Sequence, residues 1–276
     1  MSTTRKYTFD IDTKRYINRV NSYRLINGLP DIANSDAVDI DNFIIGLKDL
    51  GVWHNAVAWL MINKHNVGAG TAVLSFGGTS TNNYDGVMAT GATWGLSGIN
   101  FNPSIPTAAV NYSHSIVEIV RNDHSMISVI NKHGQDNATI FESRGGPVNT
   151  YYSTFGSNDN TVSQLLNAGT TRNSLIYGSS NRGGTVPVGF TFVGGTILLT
   201  SQSTYKNGTL IATNSNLNIR NPTGIPTQSR TGNGNIRVGT FIVPFVVIFN
   251  TPLSTSQHNS LYRLAKQTIA KDLNIP

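Results

Sequence analysis

Two hydrophobic periods divide this chain of 276 residues: apolar positions recur every three or four residues up to Leu50, and every second residue from Val52 onward. In the first stretch, Asp12 or Thr13 is placed to cap a helix running through about Tyr23, with Ile17 and Val20 on its buried side and Asn27-Gly28 near its end. Pro30 to Ser35 reads as a linker. Asp36 then opens a second helix, with Asp39 three residues on as an acidic variant of a capping box. Ile40, Phe43, Ile44, Leu47 and Leu50 keep helical spacing, and Gly51 stands where a left-handed terminating residue is wanted. Acids in the first turns complement the helix dipole, which accounts for them without a metal.

Strand patterns follow. Ala56 to Ile62 carries Val57, Trp59 and Met61 on one face. Further strands are predicted at Ala72 to Phe76, Ile99 to Phe101, Ser115 to Val120, Met126 to Asn131, Ala138 to Phe141, Ser174 to Tyr177 and Val188 to Phe192. Thr196 to Ser201, Thr209 to Ala212, Ile236 to Val238 and Phe241 to Phe249 complete the set. Turns rich in Gly or Asn separate them at roughly ten-residue intervals, the rhythm of an antiparallel all-β sandwich. The sharpest local signal is Tyr205-Lys206-Asn207-Gly208-Thr209-Leu210, because Asn-Gly between extended flanks favours the two-residue type I′ hairpin. A last helix is predicted from the Ser254/Thr255 cap to Leu273. Met1 to Tyr7 reads as mobile. Asn221 to Asn235, with Pro222, Gly224, Pro226, Gly232 and Gly234, reads as a long surface loop.

Composition narrows the chemistry. Charged residues make up 12% of the chain, about half of the ~25% usual in soluble domains, and polar uncharged residues replace them. From Asn160 to Lys271 there is no Asp or Glu, while Arg172, Arg182, Lys206, Arg220, Arg230, Arg237, Arg263 and Lys266 remain. Carboxylates run most sugar hydrolysis and build calcium sites, so the body is suited to presenting a surface. Glu118 and Glu142 stand apart from any partner acid in sequence, and no catalytic pair is visible. Cysteine is absent, which excludes disulfides and thiolate ligands. Met1 to Asp12 lacks the apolar core of a secretory signal, so a soluble chain is expected that, if it leaves the cell, does so without one, for example by lysis. No run approaches the ~20 apolar residues of a membrane span. The net charge of +6 fits general solubility or an acidic partner. Nucleic acid is disfavoured, because the basic residues are scattered singly.

Two constellations remain. His114, Asp123 with His124, and His133 lie on or between neighbouring strand patterns, but their spacing is too loose to require a metal, and none is expected. Sugar binding draws on aromatic faces together with amide and guanidinium groups. Asn149 to Ser153, with Tyr151 and Tyr152, followed by Asn158, supplies that chemistry on a predicted loop. Tyr177 with Asn181 and Arg182 is a second candidate. The competing reading is that Tyr151 and Tyr152 merely alternate between core and solvent on a strand.

Four stretches carry a resemblance. Asn18-Arg19-Val20, Ile40 to Lys48 and Gly51-Val52-Trp53 look like a two-helix lead-in of phage tail and fibre proteins. Gly91 to Gly95 with Gly98 to Phe101 is similar to the opening strands of a jelly roll. Tyr205 to Leu210 is similar to the hairpin marking its second half, and Ile248-Phe249-Asn250 with Pro252-Leu253-Ser254 and Leu261-Tyr262 to its closing strand and helix. Together they resemble the concanavalin A-like (laminin-G-like) lectin/glucanase superfamily in the form found among phage virion proteins. The resemblance implies a mainly β fold: an antiparallel jelly-roll β-sandwich over 52–276, with a two-helix lead-in over 1–51 and a short C-terminal helix. The glucanase members' strand of alternating carboxylates is missing here.

The resulting expectation is a non-enzymatic bacteriophage virion structural protein: a head decoration, head fibre or tail appendage. It would be located in the virion, partnered by other capsid or tail proteins and in contact with a host surface glycan, without cofactor or membrane. A host-recognition lectin and a glycan-degrading enzyme are the alternatives. A homo-oligomer is expected, a trimer first and a monomeric unit second. The anchor is assigned to Arg5, Lys6, Ile17, Val20, Phe43 and Leu47.

Overall fold

A computed structural model describes residues 8–78, 84–102, 104–105, 107–112, 123–132, 138–145, 150–158, 161–168, 171–177, 189–198, 201–215, 228–233 and 241–276. The predicted strands Ser115 to Val120 and Ile236 to Val238, and the segment Met1 to Tyr7, lie outside these residues.

Three α-helices are described: α1 (Ile11–Ile26), α2 (Asn34–Asp49) and α3 (Thr255–Gln267). The cap of α1 is Asp10, whose side chain accepts from the Asp12 amide, two residues before the predicted start. Helix α2 also begins early, after Ala33, with no side-chain cap, so Asp36 and Asp39 are free of the capping role expected of them. Its end follows the prediction. Gly51, at φ +69°, donates to the Lys48 carbonyl, and Val52 donates to the Leu47 carbonyl, the paired bonds of a Schellman motif. Ser254 caps α3 through a reciprocal box with Gln257. This helix stops at Gln267, and a 3-10 turn, Lys271–Leu273, completes the segment expected to be one helix. None of the described helices is long and apolar enough to cross a membrane.

The strands are β1 (Ala56–Leu60), β2 (Ala72–Val73), β3 (Ser75–Phe76), β4 (Gly86–Met88), β5 (Ala92–Gly95), β6 (Gly98–Phe101), β7 (Ala109–Tyr112), β8 (His124–Lys132) and β9 (Ala138–Gly145). They continue with β10 (Thr150–Asn158), β11 (Thr161–Ala168), β12 (Thr171–Tyr177), β13 (Thr191–Ile197), β14 (Ser201–Lys206), β15 (Thr209–Ser215), β16 (Gln228–Asn233) and β17 (Phe241–Phe249). All described pairings are antiparallel. The first sheet runs β15-β14-β13-β8-β17-β1-β3, with β6 also on β17 and β5 on β6. The second runs β12-β11-β10-β9-β16-β7-β4-β2. Among the described residues the molecule is mainly β, with three α-helices.

Two apolar layers hold it together. One lies between the helices and the first sheet, and includes Tyr16, Val20, Ile40, Phe43, Leu47 and Leu261 with Ala58, Leu60, Val129, Phe245 and Val247. The other is shared by both sheets, joining Val57, Trp59, Val246 and Ile248 to Val73, Met88, Val110, Tyr112 and Phe141. The first sheet is therefore apolar on both faces, and β17 reads as a nearly unbroken hydrophobic run for that reason. Pro244 interrupts its ladder, with a register shift between Ile242 and Phe245. The shift reverses the alternation. Phe241 and Val243 join the layer between the sheets, whereas Phe245, Val247 and Phe249 join the layer under the helices.

The predicted strand Ala72 to Phe76 is two strands: β2 belongs to the second sheet and β3 to the first. Leu74, at the crossing, is served by Asn66. That fully buried amide accepts from the Leu74 N–H (3.1 Å) and the Val67 N–H (2.8 Å), and donates to the Leu74 (2.9 Å) and Leu60 (2.7 Å) carbonyls. The Asn207-Gly208 hairpin forms as predicted, both residues having positive φ. The long surface loop expected over Asn221 to Asn235 is corrected in part: Gln228–Asn233 is β16, paired between β9 and β7. Cross-strand partners supply its order, since its own sequence has no apolar residue.

Candidate functional site

The predicted loop carrying Tyr151, Tyr152 and Asn158 is strand β10. Tyr151 pairs with Arg144 and Ser153 with Ser143, so Tyr152 is the inserted residue of a bulge and the simple two-residue alternation fails there. Asn158 closes the other end of β10, opposite Thr161. Seven residues of extended chain separate it from Tyr151, roughly 23 Å at strand rise. Tyr151 and Asn158 therefore lie toward opposite ends of β10. Strand β12 turns that second end into a more promising place. Val162 faces Ser157 on one side and Tyr177 on the other, so Tyr177 is in register with Ser157, and Asn158 lies at the same end of the sheet but one position out of step, roughly 10 Å away across two strand spacings. Asn181 and Arg182, shortly after Tyr177, lie outside the described residues. Strand β12 is also the terminal strand of the second sheet, and its backbone comes close to β14 and β15 of the first.

The residues assigned to an anchor are placed differently. Val20, Phe43 and Leu47 are fully buried in the layer beneath the helices, with Ile17 packed against it. Their apolar surface is spent inside this chain, which removes the packing basis for an anchor built on them. Arg5 and Lys6 lie outside the described residues. What α1 does expose is its last turn, where Leu25 and Ile26 are 76% and 82% exposed.

Of the histidine set weighed in the sequence, His114 and His133 lie outside the described residues, and His124 is buried in β8 opposite Ile197. His258, on α3, is buried and stacks on Tyr205 with ring centroids 3.7 Å apart. Its Nε2 is 2.9 Å from the Thr196 hydroxyl, which in turn meets the Ser125 hydroxyl at 2.9 Å. Ser125 accepts from the Leu253 amide. Burial holds the imidazole pKa down at about 3. The chain of hydroxyls and imidazole fixes α3 on the first sheet and is closed to a substrate.

A second polar cluster joins α2, the 3-10 turn Asn63–His65 and the chain end. Lys64 Nζ lies 2.8 Å from Asp36 and 2.9 Å from Asp272, while Lys271 Nζ meets both Asp39 oxygens at 2.8 and 2.6 Å. His65, 1% exposed, points its Nε2 toward Asp36 at 3.9 Å, too long for a hydrogen bond. The sequence gives one hint of this cluster, Asp36 and Asp39 three residues apart on one helix face. The partners come from remote segments that no spacing rule connects.

No family model and no curated protein matches this chain. Solved structures do. It is similar to the binding domain of botulinum neurotoxin serotype D/C VPI 5993, at TM-score 0.58 and 16% identity over 77% of this chain and 52% of that one. It is similar at TM-score 0.59 and 14% identity to the serotype D ligand binding domain in complex with N-acetylneuraminic acid, over 78% of this chain and 52% of that one. The DC binding domain in complex with rat synaptotagmin II gives TM-score 0.58 and 16% identity, over 74% and 51%. The chain thus spans about half the length of these structures, and the likeness is one of fold. The proteins it resembles in fold are binding domains.

Proposed function

We propose that this chain is a non-enzymatic carbohydrate-binding module, built on a concanavalin A-like antiparallel jelly-roll sandwich, that takes acidic glycans at the end of the second sheet. Tyr177 would be the stacking residue of the site, with Asn158 at the same end of the sheet and Asn181 and Arg182 following Tyr177 in the chain. The observation that carries the reading is the likeness in fold to a ligand binding domain in complex with N-acetylneuraminic acid, on a chain whose residues 160–271 contain no carboxylate side chain. The chemistry agrees. A tyrosine ring packs on the apolar face of a sugar, an amide serves its hydroxyls, and a guanidinium pairs in two-pronged fashion with a carboxylate. A basic body lacking acids also favours the approach of an anion.

The proposed setting is a virion, supported by the phage-like lead-in and the polar, weakly charged composition, with a trimer as the assembly and other capsid or tail proteins as neighbours. The division at Gly51 and Val52 is proposed as a change of layer, because residues from both sides fill one core. A glycan array probed with the full chain tests the function: sialylated glycans should be retained above their asialo counterparts, with no sugar released. Binding to none of them, or release of free sugar, would overturn it.

A further inference from the structure

We propose that Asp36, Asp39 and His65 form a site for one first-row divalent cation, best suited to zinc, that clasps α2 to the turn Asn63–His65. One ligand atom from each residue lies within 4.8 Å of the other two. Helical spacing puts both carboxylates on one face of α2, and the turn delivers the imidazole opposite them. The acids alone would carry no such inference, since Lys64 and Lys271 already neutralise them. His65 supplies the independent observation. It is 1% exposed, and neither ring nitrogen has a hydrogen-bond partner among the described residues. A buried imidazole left unpaired costs stability unless something binds it, and its Nε2 is directed at Asp36.

The donor set selects the ion. A neutral imidazole with two carboxylates is a nitrogen–oxygen set that suits zinc, whereas calcium takes oxygen ligands in greater number. An imidazole is largely uncharged at neutral pH, so its lone pair can serve a cation. Bonds of about 2.0–2.1 Å place tetrahedral ligand atoms about 3.3 Å apart, so the three groups need to close by up to about 1.5 Å. Three protein ligands leave a fourth position for water. The ammonium groups of Lys64 and Lys271 stand in for the cation, and both side chains are partly exposed, at 33% and 41%. They can withdraw toward solvent, with Lys64 keeping Asp272.

The test uses the full chain stripped with a chelator, then titrated with zinc chloride and separately with cobalt chloride. One equivalent of zinc should bind and raise the melting temperature, while calcium leaves it unchanged. Cobalt should give the visible band of a tetrahedral site. His65→Gln and Asp39→Asn should each weaken zinc binding by more than the roughly 10–100-fold that outer-sphere partners are worth. Exposed His54→Gln should leave it intact, and Lys271→Met, which removes a competing cation, should tighten it. Stoichiometric zinc binding retained in His65→Gln would overturn the proposal. If that variant does not fold, Asp36→Asn takes its place, and a wild-type chain without the cobalt band overturns the site whatever the variants do.

Discussion

Phe43→Ala tests whether the helical front is part of the folded body. The ring is fully buried between α2 and the first sheet, with its centroid 6.2 Å from that of Phe245 on β17. Truncation removes most of a phenyl group from the layer that also holds Val20, Leu47 and Leu261, and rigid strands beneath it limit collapse. Such a loss costs about 3–5 kcal/mol. For a domain of this size each kcal/mol moves the midpoint by roughly 2–4 °C, so the expected fall is on the order of 6–20 °C. Thermal melts should be followed by far-ultraviolet circular dichroism and by tryptophan fluorescence. Trp53 sits in the layer under the helices and Trp59 in the layer between the sheets, so both layers are reported. One cooperative transition, shifted equally in both signals, is the predicted result. Early loss of helix with an unmoved strand transition would show that residues before Val52 form a separable appendage, and would refute the shared core.

Two further predictions concern the clamp of α3. Gly208→Ala should be destabilising twice over. An alanine at φ +74° costs about 1–2 kcal/mol, and its Cβ would stand 2.8 Å from the Asn259 Cα and 3.0 Å from the Tyr262 Cβ. Gly28→Ala, at φ +68° with open space around it, should show the conformational cost alone, which urea midpoints will separate. The second concerns acid. Burial depresses the folded pKa of His258 to about 3, against an ordinary 6.5. The unfolded chain therefore binds the extra proton as pH falls. Stability is fully present above about 6.5 and is lost on descent toward 3, by up to about 1.4 kcal/mol per pH unit. Urea unfolding between pH 7 and 4 should show this slope in the wild type and a shallower one in His258→Gln; equal slopes would contradict it.

What the sequence revealed depended on how local each signal was. Asn207-Gly208 dictates its own turn, and Gly51 its own helix end, so both were legible in a few residues. Helix α2 was legible because one face is apolar, although its start was misplaced: Asp36 serves Lys64 and leaves the cap to Ala33. Strand β16 was invisible, since Gln228–Asn233 has no hydrophobic alternation and is ordered by β9 and β7. The reversal of faces at Pro244 is likewise a property of the register. Candidate glycan residues were chosen by chemistry along the chain. Only pairing distinguishes the end of the sheet that gathers Asn158 and Tyr177 from the one that holds Tyr151 and Tyr152. The cluster around His65 joins residues from opposite ends of the sequence and left only the Asp36–Asp39 spacing as a trace.

The most direct test of the glycan-binding account is the affinity of the full chain for a sialylated oligosaccharide, measured by titration calorimetry for wild type, Tyr177→Ala and Tyr151→Ala, each first checked for an unchanged melting curve. Loss of a stacking aromatic and the water-excluding surface it provides should weaken binding by at least tenfold in Tyr177→Ala, about 1.4 kcal/mol. Tyr151→Ala, at the far end of β10, should bind as the wild type does. Equal affinity in wild type and Tyr177→Ala, or a loss confined to Tyr151→Ala, would contradict the assigned site, and no measurable binding by the wild type would contradict the function itself.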